Sequence, residues 1–325
     1  MNSGGWKTKD KFVSDKGEEN NNCRDEADKE QEKRKEEIGL YKRKIDSIIF
    51  LPDSLLINEP SLREKTYKYL QIIRSLSIFR VNKLVIYRDP LLNIEPRYDK
   101  ELIMKLHKYY LIPPYLRKKL IPIDPMLKYV GAAPPLRLFI HSVGSKPVIG
   151  EYRQGYVEKK HSSYVLVDAG LKKLVRVKCI DECPSREKVI PFKLTSTRPL
   201  EGEYRKLYHS ILYTGPILEY IDDLFREIKK LRDNEYYLMA TSKYGKKVCL
   251  NLLLSLRKSF RELYRGIVVL FGAPYYGLYE IFRGYGKSLE EYVDIVINTL
   301  PNQGTKTVRT EEALHSTLSI INLII

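Results

Sequence analysis

The apolar runs of this chain do not alternate with polar residues. "SIIFL" (47–51), "KLVIY" (83–87), "YYLMA" (236–240), "IVVLF" (267–271) and "VDIVIN" (293–298) are continuous or nearly so. A strand with one wet face would show a polar residue at every second position. Strands of the continuous kind are covered on both faces, as in a parallel sheet between helices. The segment after the first run agrees. "SLREKTYKYLQIIRSL" opens with Ser61 and Glu64, a capping-box pattern, and sets Leu70, Ile73 and Leu76 on one helical stripe.

The pattern breaks between Ile112 and Leu136. Pro113, Pro114, Pro122, Pro125, Pro134 and Pro135 exclude a long helix or a central strand there. Short β-rich pieces follow: "KPVIGEYRQG", "SSYVLVDAG", "KLVRVKC" and "KVIPF". They predict a small barrel or sandwich. A basic five-stranded unit of this size fits an OB-type barrel, a common platform for single-stranded nucleic acid; a β insertion without a ligand is the alternative. From Thr214 the helical period returns. Ile217, Tyr220, Ile221, Leu224, Ile228 and Leu231 fall on one face, with Pro216 near the expected helix start.

The organisation expected is therefore an α/β domain over 45–136 and 206–325, interrupted by a barrel over 137–205. Residues 1–44, rich in Gly, Asn, Lys and Glu, bury too little to repay ordering and are expected to be disordered. A single charged helix over "EADKEQEKRKEEIG" is the other option.

Net charge is +16, and through Lys44 the chain holds 12 Lys and Arg against 11 Asp and Glu. Nearly all the excess thus sits on the part expected to fold, which points to a polyanion such as RNA or to a lysine-rich solvating surface. No run approaches a membrane span, and "MNSGGWKTKDKF" lacks the apolar core of a signal peptide, so a soluble, cytoplasmic protein is expected. Four cysteines, with Cys179 and Cys183 close together and no second pair, make neither a disulfide framework nor a zinc site. The five histidines are scattered, and no metal is expected.

Each of the last three apolar runs ends in a polar or glycine-containing loop: "TSKYG" (241–245), "GAPYYG" (272–277) and "TLPNQGT" (299–305). Ligands of open α/β sheets collect beyond the carboxyl ends of strands, and glycine lets backbone approach them. There is no G-x-x-x-x-G-K-[ST] to cradle a triphosphate. Nor does a G-x-G-x-x-G open a helix after the first strand. A cofactor without phosphates, held by backbone groups and apolar walls, fits better.

"ATSKYG", "VVLFGAPYYGLYEI" and "INTLPNQGTKTVRTEEAL" together resemble the three C-terminal motifs of the SPOUT, or α/β-knot, RNA methyltransferases. The likeness is to the subgroup with an inserted OB-like barrel, and "IIFLPDSLL" and "YLRKKLIPIDPMLKYVGAAPPL" share it. It covers 45–325 in outline and rests mainly on the last motif. The resemblance implies a homodimer, a bent S-adenosyl-L-methionine and a C-terminal trefoil knot, a feature nearly absent from other proteins. In a knot the terminal helix pins the loop before it, which explains a polar loop so near the C-terminus. Thr310 is expected to cap that helix, with Glu311 and Glu312 in its first turn and Leu314, Leu318 and Ile321 facing the core.

The site implied by the resemblance is specific. Gly272 and Gly277 let the middle loop close over the methionine and ribose. Asn298, Thr299, Gln303, Gly304 and Thr305 meet adenine and ribose, and Thr241, Tyr244 and Gly245 complete the first wall. Tyr244 stands where animal-type members tend to have Arg, as a direct contact or as an aromatic lid. Methylation of a base nitrogen such as uridine N3, in ribosomal rather than transfer RNA, requires loss of its proton. Arg309 is the candidate to favour the deprotonated form, with Glu311 orienting it or accepting the proton; a structural Arg309–Glu311 ion pair is the alternative. Lys159, Lys160, Lys172 and Lys173 are the candidate RNA contacts on the barrel. A non-catalytic RNA-binding or ribosome-assembly factor is the competing function.

Overall fold

The computed structural model describes residues 39–93, 95–132, 135–141 and 146–325. Strand β1 (Asp46–Pro52) leads into helix α1 (Leu62–Ile78) and strand β2 (Lys83–Tyr87), with β1 and β2 parallel and Ile49 opposite Leu84. The capping box is formed: Glu64 N–H donates to the Ser61 hydroxyl and Ser61 N–H to the Glu64 carboxylate. Helix α2 (Arg97–Leu111) follows, and the proline-rich stretch allows only a short helix α3 (Pro114–Leu120), with Pro114 in its first turn.

The barrel comprises β3 (Tyr152–Lys160), β4 (Tyr164–Asp168), β5 (Val175–Cys179), β6 (Val189–Thr197) and β7 (Leu200–Tyr204), closed in the order β3-β4-β5-β7-β6. All its pairs are antiparallel except β5 with β7. Alternation fills its interior with Val157, Val165, Val167, Val175, Val177, Ile190, Phe192 and Leu194. Cys179 and Cys183, close in the sequence but not part of any disulfide framework, are joined by a single disulfide. The turn after β5 folds back until their Cα atoms are 5.3 Å apart, within bridging range. Their spacing in the sequence carried no sign of that turn.

After α4 (Leu207–Ile211) the chain returns to the sheet. Here the single helix expected from Thr214 proves to be two elements. Ile217–Ile221 form β8, parallel to β2, and α5 (Leu224–Asp233) starts only after Asp223, whose carboxylate accepts the Arg226 N–H. Beside β2 lies a row of backbone groups that need partners, and ladder pairing there overrides the local helical period. Then come β9 (Tyr236–Lys247), α6 (Leu250–Glu262), β10 (Gly266–Leu270), α7 (Leu278–Gly284), β11 (Ile295–Asn298) and the terminal helix α8 (Thr310–Ile321). The six strands are all parallel, in the order β11-β9-β10-β1-β2-β8.

Both faces of this sheet are covered. On one, Ile49, Leu84, Ile267 and Val269 pack against Leu70, Ile73 and Leu76 of α1 and Leu314, Leu318 and Ile321 of α8. On the other, Phe50, Val85, Val268 and Leu270 meet α5 and α7 through Leu224, Ile228, Ile281 and Phe282. Non-alternating strands are the direct consequence of two apolar layers.

The expected tail lies outside the described residues as far as residue 38. From Tyr41, however, the chain already belongs to the body: Tyr41 bridges to Leu212, and the Arg43 guanidinium donates to Phe79 O and Asn322 Oδ1. The barrel is joined to the α/β part through polar contacts that are buried or partly buried. Tyr115 Oη donates to Gln154 O at 2.6 Å, and His141 Nε2 lies 3.1 Å from both Leu111 O and Gln154 Oε1. Burial pushes the His141 pKa down to about 4. Among the described residues, no helix is long and apolar enough to cross a membrane. No group of three or more His, Cys, Asp or Glu among them is placed to hold a metal.

Candidate active site

Two of the three polar stretches leave the carboxyl ends of β10 and β11, whereas 241–245, expected as a loop after its strand, lies inside β9, which runs on to Lys247; the three strands are neighbours in the sheet. The three stretches line one open cleft of about 300 Å³, near the lower bound of ligand pockets. Its position follows from topology: adjacent parallel strands deliver their following loops to one edge.

The first wall comes from an irregularity in β9. Its ladder with β11 jumps from Ala240 opposite Val296 to Lys246 opposite Ile297, so 241–245 stand outside it. Thr241 Oγ1 ties this excursion to Leu270 O at 3.0 Å. Gly245 allows the strand to rejoin: a Cβ there would stand 2.8 Å from the backbone of Ile297. Tyr244 is largely exposed over the opening, with Lys243 Nζ 4.9 Å from its ring centroid.

The middle wall is the turn between β10 and α7. A Cβ on Gly272 would stand 2.9 Å from Tyr276 O, so only glycine lets this loop close on itself. The third wall is tied to the first and to the terminal helix. Asn298 Nδ2 donates to Lys243 O at 2.9 Å, its Oδ1 accepts the Leu300 N–H at 3.0 Å, and Thr299 Oγ1 meets Thr317 Oγ1 of α8 at 2.8 Å in a buried contact. Helix α8 thus anchors the last loop, and its Thr310 and Ala313 complete the wall. Thr310 is not its cap. It is the first helical residue, and the Arg309 N–H preceding it donates to the Glu312 carboxylate at 3.0 Å.

Of the residues expected to hold a cofactor, Thr241, Tyr244, Gly272, Gly277, Asn298, Thr299 and Gln303 line the cleft. Gly245, Gly304 and Thr305 do not. Gly245 acts behind the wall, and Thr305 O accepts the Gln303 side-chain amide at 2.8 Å. Arg309 and Glu311 are also absent from the lining. Arg309 is exposed, while Glu311 is buried on the α1 side, 4.0 Å from Lys68 Nζ and 3.9 Å from Arg309 Nη1. Lys68, itself buried, is held by Asn58 Oδ1 at 2.6 Å and Glu59 Oε1 at 3.2 Å. The four barrel lysines are exposed and are not among the residues lining the cleft; Lys160 Nζ donates to Cys183 O at 2.9 Å.

Sequence reasoning passed over Tyr275, Glu280, Lys306, Val308 and Ala313, which also line the cleft. A signal existed for all five: Tyr275 and Glu280 lie within the quoted middle motif, and Lys306, Val308 and Ala313 within the last. Glu280 stands one helical turn after Gly277, close enough that a Cβ on Gly277 would be 2.9 Å from Oε2. The last motif did not by itself single out α8 as a wall.

Comparison with known proteins agrees with this geometry. A family model described as "Putative RNA methyltransferase" matches residues 46–321. An uncharacterized protein of Haloarcula marismortui is 29% identical over 288 residues, covering 85% of this chain and 98% of that protein. The 28S rRNA (uridine-N(3))-methyltransferase of Homo sapiens is 25% identical over 345 residues, covering 92% of this chain and 85% of that protein. The enzyme of the same name from Drosophila melanogaster is 26% identical over 301 residues, 82% of this chain and 59% of that protein. Because the family match spans residues 46–321, and with them the sheet, the barrel and the loops of the cleft, the chain belongs to this family of RNA methyltransferases.

Proposed function

We propose that the cleft binds S-adenosyl-L-methionine and that the protein methylates a base of ribosomal RNA, with N3 of a uridine as the acceptor. The observation that carries this reading is the convergence of two loops and the excursion within β9, from three adjacent strands, on a single cleft. The names of the human and fly relatives support the acceptor.

The lining suits such a donor. Apolar Phe271, Ile297, Val308 and Ala313 offer walls to an adenine, and main-chain groups of the three loops offer directional contacts. Gly272 lets the middle loop fold tightly against the backbone of Tyr276 and Gly277, where a side chain would collide. When bound, the donor would supply an electrophilic methyl group on a sulfonium, transferred to the acceptor nitrogen as the carbon–sulfur bond breaks and the thioether leaves. The protein's contribution is then largely positioning. The Asn298 and Thr299 contacts fix the last loop before any ligand arrives, so little ordering remains to be done on binding.

A uridine N3 must lose its proton, and its base must be turned out of any helix to reach the cleft. We assign Arg309 to the substrate side, where its exposed guanidinium favours the deprotonated base electrostatically. Glu311, buried beside Lys68, is suited to orienting Arg309 rather than to taking the proton, which passes to solvent. The homodimer and the knot implied by the resemblance belong to the same reading. Exposed Leu250, Leu254 and Leu263 on and just after α6 support an apolar contact with a second copy, and a cytoplasmic site of action accompanies it.

Titration calorimetry with S-adenosyl-L-methionine tests the cleft. Gly272→Trp is expected to abolish heat of binding and methyl transfer to total RNA together; transfer that survives in this variant removes the assignment. Donor binding without any transfer would instead favour an RNA-binding factor. Mass spectrometry of nucleosides from cells with and without the gene then identifies the acceptor, with loss of N3-methyluridine as the expected result.

A further inference from the structure

We propose that the outer face of β4 and β5 is a nucleobase-stacking site for single-stranded RNA, built on Tyr164, Arg176 and His161. It rests on the reading of the chain as an RNA-acting enzyme, and it replaces a general basic barrel with a defined surface. The barrel order β3-β4-β5-β7-β6 is that of an OB fold, whose second and third strands form the usual face for oligonucleotides.

On these strands the fully buried inward residues are Val165, Val167, Val175 and Val177, with Cys179 packed against them, so the outward ones are not needed for the core. Tyr164 stands opposite Lys178, and Arg176 stands opposite Leu166, which in turn faces Lys159 on β3. The side chains have already assembled. The His161 ring is stacked on the Tyr164 ring with centroids 4.3 Å apart and planes 15° from parallel. The Arg176 guanidinium carbon lies 4.5 Å from the centroid of the same ring. Among the described residues, no carboxylate forms an ion pair with Lys159, His161, Arg176 or Lys178. Glu201 of β7, opposite Arg176, bounds the face on its far side.

An imidazole, a phenol and a guanidinium in contact are three planar groups that a base can extend by stacking. A duplex has no free base faces to offer, so the chemistry selects unpaired RNA. Stacking is tolerant of base identity, while Lys159 and Lys178 meet the backbone. The loop carrying His161 is prepared for this role. His161 N–H donates to Tyr164 O at 2.9 Å, Cys179 N–H to Ser163 O at 3.0 Å, and the disulfide holds the adjoining turn. Lys160 is engaged with Cys183 O within that turn, which leaves Lys159 as the backbone contact of the pair.

The test is fluorescence anisotropy on the full chain with a labelled oligouridylate of about ten nucleotides, within the span of one OB fold. A hairpin duplex serves as comparison. Tyr164→Ala and Arg176→Ala are each expected to weaken oligouridylate binding about tenfold while leaving its salt dependence unchanged. Tyr164→Phe keeps the affinity. Lys159→Ala is expected to reduce the slope of log affinity against log salt by about 0.7. The duplex responds to Lys159→Ala and not to Tyr164→Ala. Oligouridylate affinity within about twofold of the parent in both stacking variants overturns the proposal, as does equal loss for duplex and single strand. If Tyr164→Ala melts the barrel, Arg176→Ala, at an exposed position, decides alone. Donor calorimetry on the same samples separates the two readings. Intact donor binding with unaltered RNA affinity removes only the stacking face. Absent donor binding in the parent removes the methyl-transfer reading and leaves the RNA test standing.

Discussion

At the carboxyl edge of the parallel sheet, the groups presented to a ligand are largely main chain, held in place by Asn298, Thr299 and close-packed glycines. On the barrel, earlier in the chain, they are side chains standing outward from a largely valine interior. The difference follows from architecture. A sheet covered on both faces can meet a ligand only at its strand ends, where the chain must turn and backbone is exposed. A small closed barrel has its whole outer surface in water, and alternate positions along each strand are free to carry charge and aromatic rings. A change to the backbone should therefore disable the first site, and a change to side chains the second, with little crossover.

The largest expected effect breaks or upholds the backbone half of this contrast. Gly245→Val places a side chain against Ile297, whose backbone is 2.8 Å from the Cβ position. Donor binding should weaken by at least about a hundredfold, the scale of a steric change costing about 3 kcal/mol, while oligouridylate binding changes little. Calorimetry and anisotropy on one preparation read both. Retained donor affinity would mean that the first wall does not need this close approach.

Acid should next distinguish the body of the sheet from its joint with the barrel. Burial holds the pKa of His107, under Tyr69 and Pro216 O, and of His141, at the Gln154 joint, down at about 4. Both are neutral in the folded chain, whereas in the unfolded chain they titrate near 6.5. The unfolded state thus binds more protons between these values, and stability falls as pH drops through that window. The loss is about 2 kcal/mol per histidine by pH 5. Thermal melting at pH 7 and pH 5 measures it, and His141→Gln should remove its own share of the pH dependence.

The barrel's disulfide closes a very short loop, so reducing it should cost at most about 2 kcal/mol. Melting with and without reductant, with Cys183→Ser as the unreducible control, reads this effect, and the donor site should not respond. Smallest is the contribution of the exposed loop lysines. Lys172→Ala with Lys173→Ala is expected to weaken RNA binding severalfold and to lower the salt slope by about 0.7 for each phosphate that is no longer neutralised. An unchanged slope would place the RNA path elsewhere on the barrel.

Much of the sheet was readable in the sequence because burial on two faces writes itself directly into composition: "IVVLF" needs no partner to be recognised. The Ser61–Glu64 cap was equally local. Ile217 to Ile221 were not, since their apolar spacing satisfies a helix and a strand alike, and the need of β2 for a neighbour decided between them. Nor was the disulfide, because a turn sets the distance between Cys179 and Cys183. In the cleft, the glycines and Asn298 could be found from their loops. Thr310 and Ala313 lie within the last motif, but no pattern in α8 marks which of its residues face a ligand.

By itself the sequence determined the kind of layers this protein has, the interruption of the α/β part by a β-rich one, the excess of positive charge beyond Lys44, and the polar stretches that follow the last buried runs. These are consequences of residue type and period, which act over a few positions. The tertiary structure alone decided which strands became neighbours. It also turned Glu311 away toward Lys68, and it gathered His161, Tyr164 and Arg176 into one stack. Such arrangements depend on contacts between segments far apart in the chain, whose geometry is fixed only when the whole core closes.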